Sequence, residues 1–422
     1  MKPFMGTLTR NLAWLAGGEV LMKGLLFAVG VLVARGLGPA AMGVFTVSYG
    51  AAIVFMLLLA AGQAEVVMRE VARRRDAAWG IGRLAQGWQA RVAMTAVPAA
   101  VLAALLVPDG SLRLGLLAFI PYAWLRRSLV TVGAAFKGLD RMDVEVAGRG
   151  VELAVAAALL VPLASGRAPA WTTGLAFAAG GAAGLALVTR QFGRLPRRED
   201  PSVTRAYLAR EGLSFLGLSM TAQLRMRLDT FLLAALGVAQ AGIGKYGVGG
   251  APVWGLLGVG QLVAVSAYPT LARAVAHEAL SRLRVVALGV GGALLGSALT
   301  AVVLLVKVPL VRLVFGAEYL DAVPLMAILA WTLPATCGEM VLGAITAAAG
   351  RQAWALVQAV VLIVALAVSD LVVIPRWGLP GCAAVSVAVS FLGFLGIAGI
   401  TLAAVGRPRV QESPVLAGFE AE

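Results

Sequence analysis

The stretch Asn11–Ala34, NLAWLAGGEVLMKGLLFAVGVLVA, runs directly into Arg35-Gly36-Leu37-Gly38-Pro39. At about 1.5 Å rise per residue, about 20 apolar residues cross a hydrocarbon layer roughly 30 Å thick, so the stretch reads as a membrane span closed by a glycine-proline turn. It nevertheless holds Glu19 and Lys23. A charge in mid-bilayer costs about 2.5 kcal/mol or more unless it faces a partner or a wet cavity, which makes both residues candidates for function. They also stand four apart on one helical face, acid before base, the favourable order for a self-neutralising pair. Both readings stand, as does a third in which a competing anion takes Lys23 and frees Glu19 to accept a proton.

The rest of the chain repeats this pattern. Of its 422 residues, 60% are hydrophobic and 13% charged, which excludes an ordinary water-soluble domain. A net charge of +14 invites a nucleic-acid reading. The basic residues fall in short loops between apolar runs, however, so membrane orientation explains them and no nucleic-acid partner is expected. Cys337, Cys382 and the single His277 supply no zinc or iron set, and no cofactor is expected. The first stretch lacks a small-residue cleavage pattern and reads as retained.

Apolar windows place twelve spans near 11–34, 41–62, 88–107, 114–136, 144–164, 171–189, 210–236, 246–268, 285–306, 322–348, 354–374 and 381–404. With the N-terminus inside, cytoplasmic loops outnumber outer loops in Lys and Arg by about three to one, which supports an even number of spans and cytoplasmic termini. The basic loop with Pro196 and Pro201 divides the chain into an N-terminal six-helix bundle (1–190), a linker (191–210), a C-terminal six-helix bundle (211–405) and a tail (406–422). Leu37-Gly38 before Gly43-Val44-Phe45 is echoed by Leu236-Gly237 before Gly244-Lys245-Tyr246. The echo fits parallel repeats; chance similarity between two glycine-rich loops is the alternative.

Gly242-Ile243-Gly244-Lys245-Tyr246-Gly247 has the spacing of a dinucleotide fingerprint but joins two spans rather than a strand and a helix, and no phosphate-binding loop occurs. Gly180/Gly184 and Gly292/Gly296 read as close helix packing. The informative residues are charges inside spans. They are Lys23 in the first, Arg126 and Arg127 in the fourth, Arg225 and Arg227 in the seventh, with the acids Glu19, Glu152, Asp229 and Glu339. So many midplane cations imply an internal aqueous cavity with a basic lining. Arg225 and Asp229 have the spacing of an ion pair, whereas Arg126, Arg127 and Arg227 have no acid at i±3 or i±4 and are the stronger candidates for an anionic ligand. Guanidinium groups bind phosphate oxygens in forked pairs and keep their charge, so a phosphate-bearing lipid suits such a cavity.

Asn11-Leu-Ala-Trp14 through Ala34-Arg-Gly-Leu-Gly-Pro39, Arg225-Met-Arg-Leu-Asp229, Tyr268-Pro269, Leu313-Val-Phe-Gly-Ala-Glu-Tyr319 and Pro375-Arg-Trp-Gly-Leu-Pro-Gly-Cys-Ala383 resemble, in order and spacing, the bacterial polysaccharide-biosynthesis flippases of the multidrug/oligosaccharidyl-lipid/polysaccharide exporter superfamily. The resemblance implies an all-α polytopic protein of the bacterial cytoplasmic membrane, with two six-helix bundles around a central cavity. It further implies alternating access that moves an undecaprenyl-diphosphate-linked oligosaccharide to the outer leaflet, beside a polymerase and glycosyltransferases. Its cavity cations carry over onto Lys23, Arg225 and Arg227. Two other classes stand as alternatives: a cation-coupled drug exporter using Glu19, Asp229 or Glu339, and a membrane polymerase or ligase, which the short outer loops disfavour.

Overall fold

Gly38 adopts φ 81° and ψ 178°, a conformation that a side chain would disfavour, and it is the single break in a helix, α1, that runs Lys2–Ala60. The first two spans are therefore two helices joined directly at Gly38, with no loop between them. The same device recurs near the other end of the chain. Helix α13, Gln352–Ala404, breaks at Gly378 (φ 58°, ψ −144°) between Pro375 and Pro380. Its halves lie side by side and antiparallel: Gln358 Nε2 donates to Gly393 O at 2.6 Å, and Cys382 Sγ lies 3.9 Å from Asp370.

The computed structural model describes residues 2–165, 168–277 and 280–405, and regular structure among them is helical throughout. The expected 406–422 tail lies outside the described residues. Between α1 and α13 come α2 Gln63–Arg73, α3 Ala78–Leu105, α4 Gly110–Gly138, α5 Met142–Ser165, α6 Thr172–Phe192, α7 Arg205–Arg225, α8 Leu228–Ala235, α9 Gln240–Ala276, α10 Arg282–Leu310, α11 Ala322–Leu329 and α12 Thr332–Ala348. Among the described residues, eight helical segments are long and apolar enough to cross a membrane by themselves. Two of these fold double at Gly38 and Gly378, and α4 and the α7–α8 pair complete the twelve. Prolines do not interrupt the spans by themselves, for α3 and α4 run through Pro98 and Pro121. The seventh span breaks instead at Met226-Arg227, and the tenth at Ala330-Trp331.

Small residues set the close contacts, as lipid offers no hydrophobic drive between helices. Gly180 and Gly184 pack on the carbonyls of Glu152 and Gly148, joining α5 to α6, while Gly292 and Gly296 pack on Cys337 and Leu333, joining α10 to α12. The short helix α2 lies between the expected spans 41–62 and 88–107, where the hydropathy pattern predicts no element. It buries Val66, Val67 and Val71 on one face and carries Arg69 and Arg73 on the other.

The distribution of the core gives the molecule its shape. One continuous core joins the first bundle (Val33, Ala34, Phe45) to the second (Tyr246, Phe315, Tyr319) at the end bearing Gly38. Towards the basic end, which carries the 63–75 and 190–205 segments, the core splits. Val66, Phe136 and Phe192 belong to one cluster and Leu271, Val285 and Ile345 to another. The bundles thus share a core at one end and have separate cores at the other, where the start of α7 packs on α2 and a cleft lies between the remaining helices.

Candidate functional site

The joined end is a glycine seam. Gly43 on α1 packs against the Gln240 carbonyl, Gly244 on α9 packs against the Pro39 carbonyl, and Gly247 meets Thr46. A side chain at these glycines would push the bundles apart. Polar contacts add to the seam: Tyr319 Oη donates to Ala34 O at 3.0 Å, Arg35 to Leu313 O at 3.0 Å, and Gln240 to Asp109 at 3.1 Å. Positions 244, 247, 251, 254 and 258 share one face of α9. At Gly258 that face meets the ammonium of Lys23 on α1. One and two turns further on, Leu262 and Val265 are 44% and 61% exposed, which marks where the cleft opens.

Arg227 stands in the break between α7 and α8, against this seam. Its guanidinium lies 5.8 Å from the Tyr49 ring and beside Gly50 of α1, and its Nε is 3.4 Å from Gln223 Oε1. No carboxylate pairs with it among the described residues. Besides Arg35, Lys23 and Arg227 are thus cations that sit where the bundles meet. The side chain of Glu19 lies outside the described residues, and so does the Glu19–Lys23 pair.

The other expected ligands are held inside the bundles. Arg126 has the partner that its own helix lacks: it pairs with the wholly buried Glu152 of α5, whose second oxygen accepts from Tyr122 Oη at 2.9 Å. Arg127 is 3% exposed, donates to Gln89 of α3 at 3.1 Å and stacks on Trp124 at 3.7 Å. Gln89 is pinned in turn by the Ala60 carbonyl and Thr131. These two arginines tie α3, α4 and α5 together.

The four-residue pair Arg225–Asp229 does not form, because the helix breaks between the two residues. Arg225 instead makes a fork to Glu339 of α12 at 2.7 and 2.9 Å. Asp229 turns away and accepts from Ser386 and, at 2.6 Å, from Tyr246 Oη. Its neighbour is Asp370, wholly buried, and the ligand atoms of Asp229, Asp370 and Cys382 lie within 4.8 Å of one another. One oxygen of each aspartate has no hydrogen-bond partner. Two carboxylates this close repel unless a shared proton or a small cation intervenes. The oxygen set of Asp229, Asp370 and Ser386 suits a hard cation, to which the Cys382 thiol adds little. Asp370 was missed from sequence although it gave the signal used for the others, a lone charge within an apolar span.

The fold and the paired bundles define an all-helical polytopic membrane protein. Its likeness to solved structures runs the length of the chain. It superposes on the lipid II flippase MurJ in an inward closed conformation with a TM-score of 0.72 at 11% identity, covering 93% of this chain and 90% of that one. It superposes on an inward-facing multidrug resistance MATE family transporter of the MOP superfamily with 0.67 at 16% identity, covering 92% and 96%. A MOP superfamily transporter from Pyrococcus furiosus, described as having a binding pocket of reversed polarity, gives 0.62 at 16% identity, covering 94% and 97%. At such identities these likenesses establish the fold. The family model described as polysaccharide biosynthesis protein matches residues 8–275, and the chain belongs to that family. No curated protein matches it significantly.

Proposed function

We infer that the protein is a flippase that carries a lipid-diphosphate-linked oligosaccharide from the cytoplasmic to the outer leaflet of a bacterial inner membrane, for cell-surface polysaccharide synthesis. The observation that carries this reading is Arg227, a mid-span cation without a carboxylate partner among the described residues, placed where a cleft between two bundles narrows to a glycine seam. A guanidinium there receives a diphosphate entering from the basic end, which the excess of Lys and Arg places in the cytoplasm. Lys23 supplies the second charge from the facing helix. The bundles are the moving bodies: the seam at Gly43 and Gly244 opens as the basic end closes. Polymerase and glycosyltransferases would act before and after the transfer, and the chain itself is no enzyme.

The Asp229–Asp370 pair serves as the coupling site, exchanging a proton or a small cation as the bundles move. An inside-negative potential also drives a diphosphate outward, by roughly 2.3 kcal/mol per charge per 100 mV. The test is to replace Arg227 by Ala and by Lys and follow lipid-linked sugar in each leaflet. Unchanged export in the well-expressed Ala variant removes Arg227 from the mechanism. The buried carboxylates also favour a second reading, a cation-coupled drug exporter, which requires resistance to organic cations in a strain expressing the protein.

A further inference from the structure

Away from the cleft, where α3 begins and α6 ends, Trp79, Arg83, Gln86, Thr189 and Arg197 line a hollow of about 490 Å³. The guanidinium groups of Arg83 and Arg197 each lie 5.8 Å from the Trp79 ring, so the indole draws both to one place. Neighbouring Arg198 is neutralised by Asp76 at 3.3 Å, whereas neither Arg83 nor Arg197 has a carboxylate partner among the described residues. Two unpaired cations gathered around one aromatic ring form a site for an anion.

The helix faces that lead to the hollow identify the anion's carrier. On α3, Arg83 shares a face with Met94 and Leu105, which are 70% and 51% exposed. On α6, Thr189 and Gly193 continue a stripe of Leu175, Ala179, Ala182 and Ala186, all exposed. Two apolar stripes long enough to lie along acyl chains therefore converge on a basic, indole-floored hollow at the membrane boundary. Tryptophan and arginine favour this depth, since each has an apolar body and a polar end.

We propose that this hollow binds the headgroup of an anionic membrane phospholipid, with its phosphate between Arg83 and Arg197 over Trp79 and its acyl chains along α3 and α6. The site lies outside the cleft of Arg227 and stands whether or not the chain flips a lipid-linked sugar. It fastens the α3 and α6 ends, and the segment after α6, to the basic face of the bilayer.

Native mass spectrometry of the full chain in detergent tests this, titrated with phosphatidylglycerol, with phosphatidylcholine and with inorganic phosphate. Phosphatidylglycerol should bind about tenfold more tightly than phosphatidylcholine, and the preference should vanish in R83A/R197A and survive in R83K/R197K. Equal phosphatidylglycerol binding by R83A/R197A overturns the proposal. Equal binding of phosphatidylcholine leaves only apolar adhesion, and displacement by inorganic phosphate leaves only a soluble-anion site; either result overturns it as well. A reading independent of folding in the variants comes from the unaltered chain, for which raising salt from about 0.1 M to about 1 M should remove the preference. A preference indifferent to salt would count against the arginine pair.

Discussion

Arg225 and Glu339 meet in a two-bonded fork, 2.7 and 2.9 Å, that joins the last turn of α7 to the middle of α12. Gly393 of α13 leaves room beside both groups, so a third helix closes over the pair. The fork holds the helix end from which Arg227 projects. Breaking it frees a charge at mid-membrane and loosens the residue on which the proposed chemistry depends. Removing either partner, as R225A or E339A, should destabilise the purified protein by about 2–4 kcal/mol, and the double variant should recover part of that loss. Thermal unfolding in detergent measures the coupling, and strict additivity would show that the two residues do not act as a pair.

Arg227 carries the transport reading. R227A should lower export of lipid-linked sugar by at least about tenfold, while R227K should retain part of it, since a lysine keeps the charge but loses the fork. Leaflet-resolved labelling of the sugar distinguishes the two. A lower transport rate with unchanged substrate binding would assign Arg227 to movement rather than to recognition.

Asp229 and Asp370 should act together. D229N or D370N removes one of the two like charges and with it the reason to bind a cation. In proteoliposomes either variant should make transport insensitive to an imposed proton or sodium gradient, and D229N/D370N should add nothing further. A gradient response that survives both single changes would place coupling elsewhere.

The seam admits a direct geometric test. A Cβ at position 247 would lie 3.5 Å from the Thr46 Cβ, within disulfide range. T46C/G247C should therefore cross-link spontaneously and arrest transport until reduced. L21C/L262C, nearer the basic end where the cleft has opened, should not cross-link in the same state. The native Cys337 and Cys382 are buried and do not compete.

Glu70 anchors the basic end. It is 1% exposed and accepts from Arg69 of α2 at 3.1 Å and Tyr207 of α7 at 2.8 Å, with Arg74 at 3.3 Å. E70A should remove the acceptor shared by these groups, leaving Arg69 to Glu211 and Arg74 to Asp200, and cost about 1–3 kcal/mol. Limited proteolysis near residues 194–204 should accelerate in that variant, and an unchanged cleavage rate would show that the network does not hold the segment.

The twelve spans were legible in sequence because lipid imposes a length and an apolarity on each crossing segment. Gly38 and Gly378 could be picked out as turns beside their prolines. Helix α2 escaped because eleven residues with valines on one face and arginines on the other resemble a basic loop until something covers the valines. Span charges are equally visible in sequence, Asp370 included, but their partners are not. Arg126 finds Glu152 and Arg225 finds Glu339 across helices far apart in the chain.

By itself, then, the sequence determined that this is an all-helical membrane protein, how many times it crosses, and that charges are buried within it. Those properties follow from local hydropathy and backbone geometry. Only the tertiary structure decided which charges are neutralised within a bundle and which meet the cleft. An arginine without a partner on its own helix is free only if no other helix brings one. Packing brought Glu152 to Arg126, and Gln89 with Trp124 to Arg127, and left Arg227 at the seam.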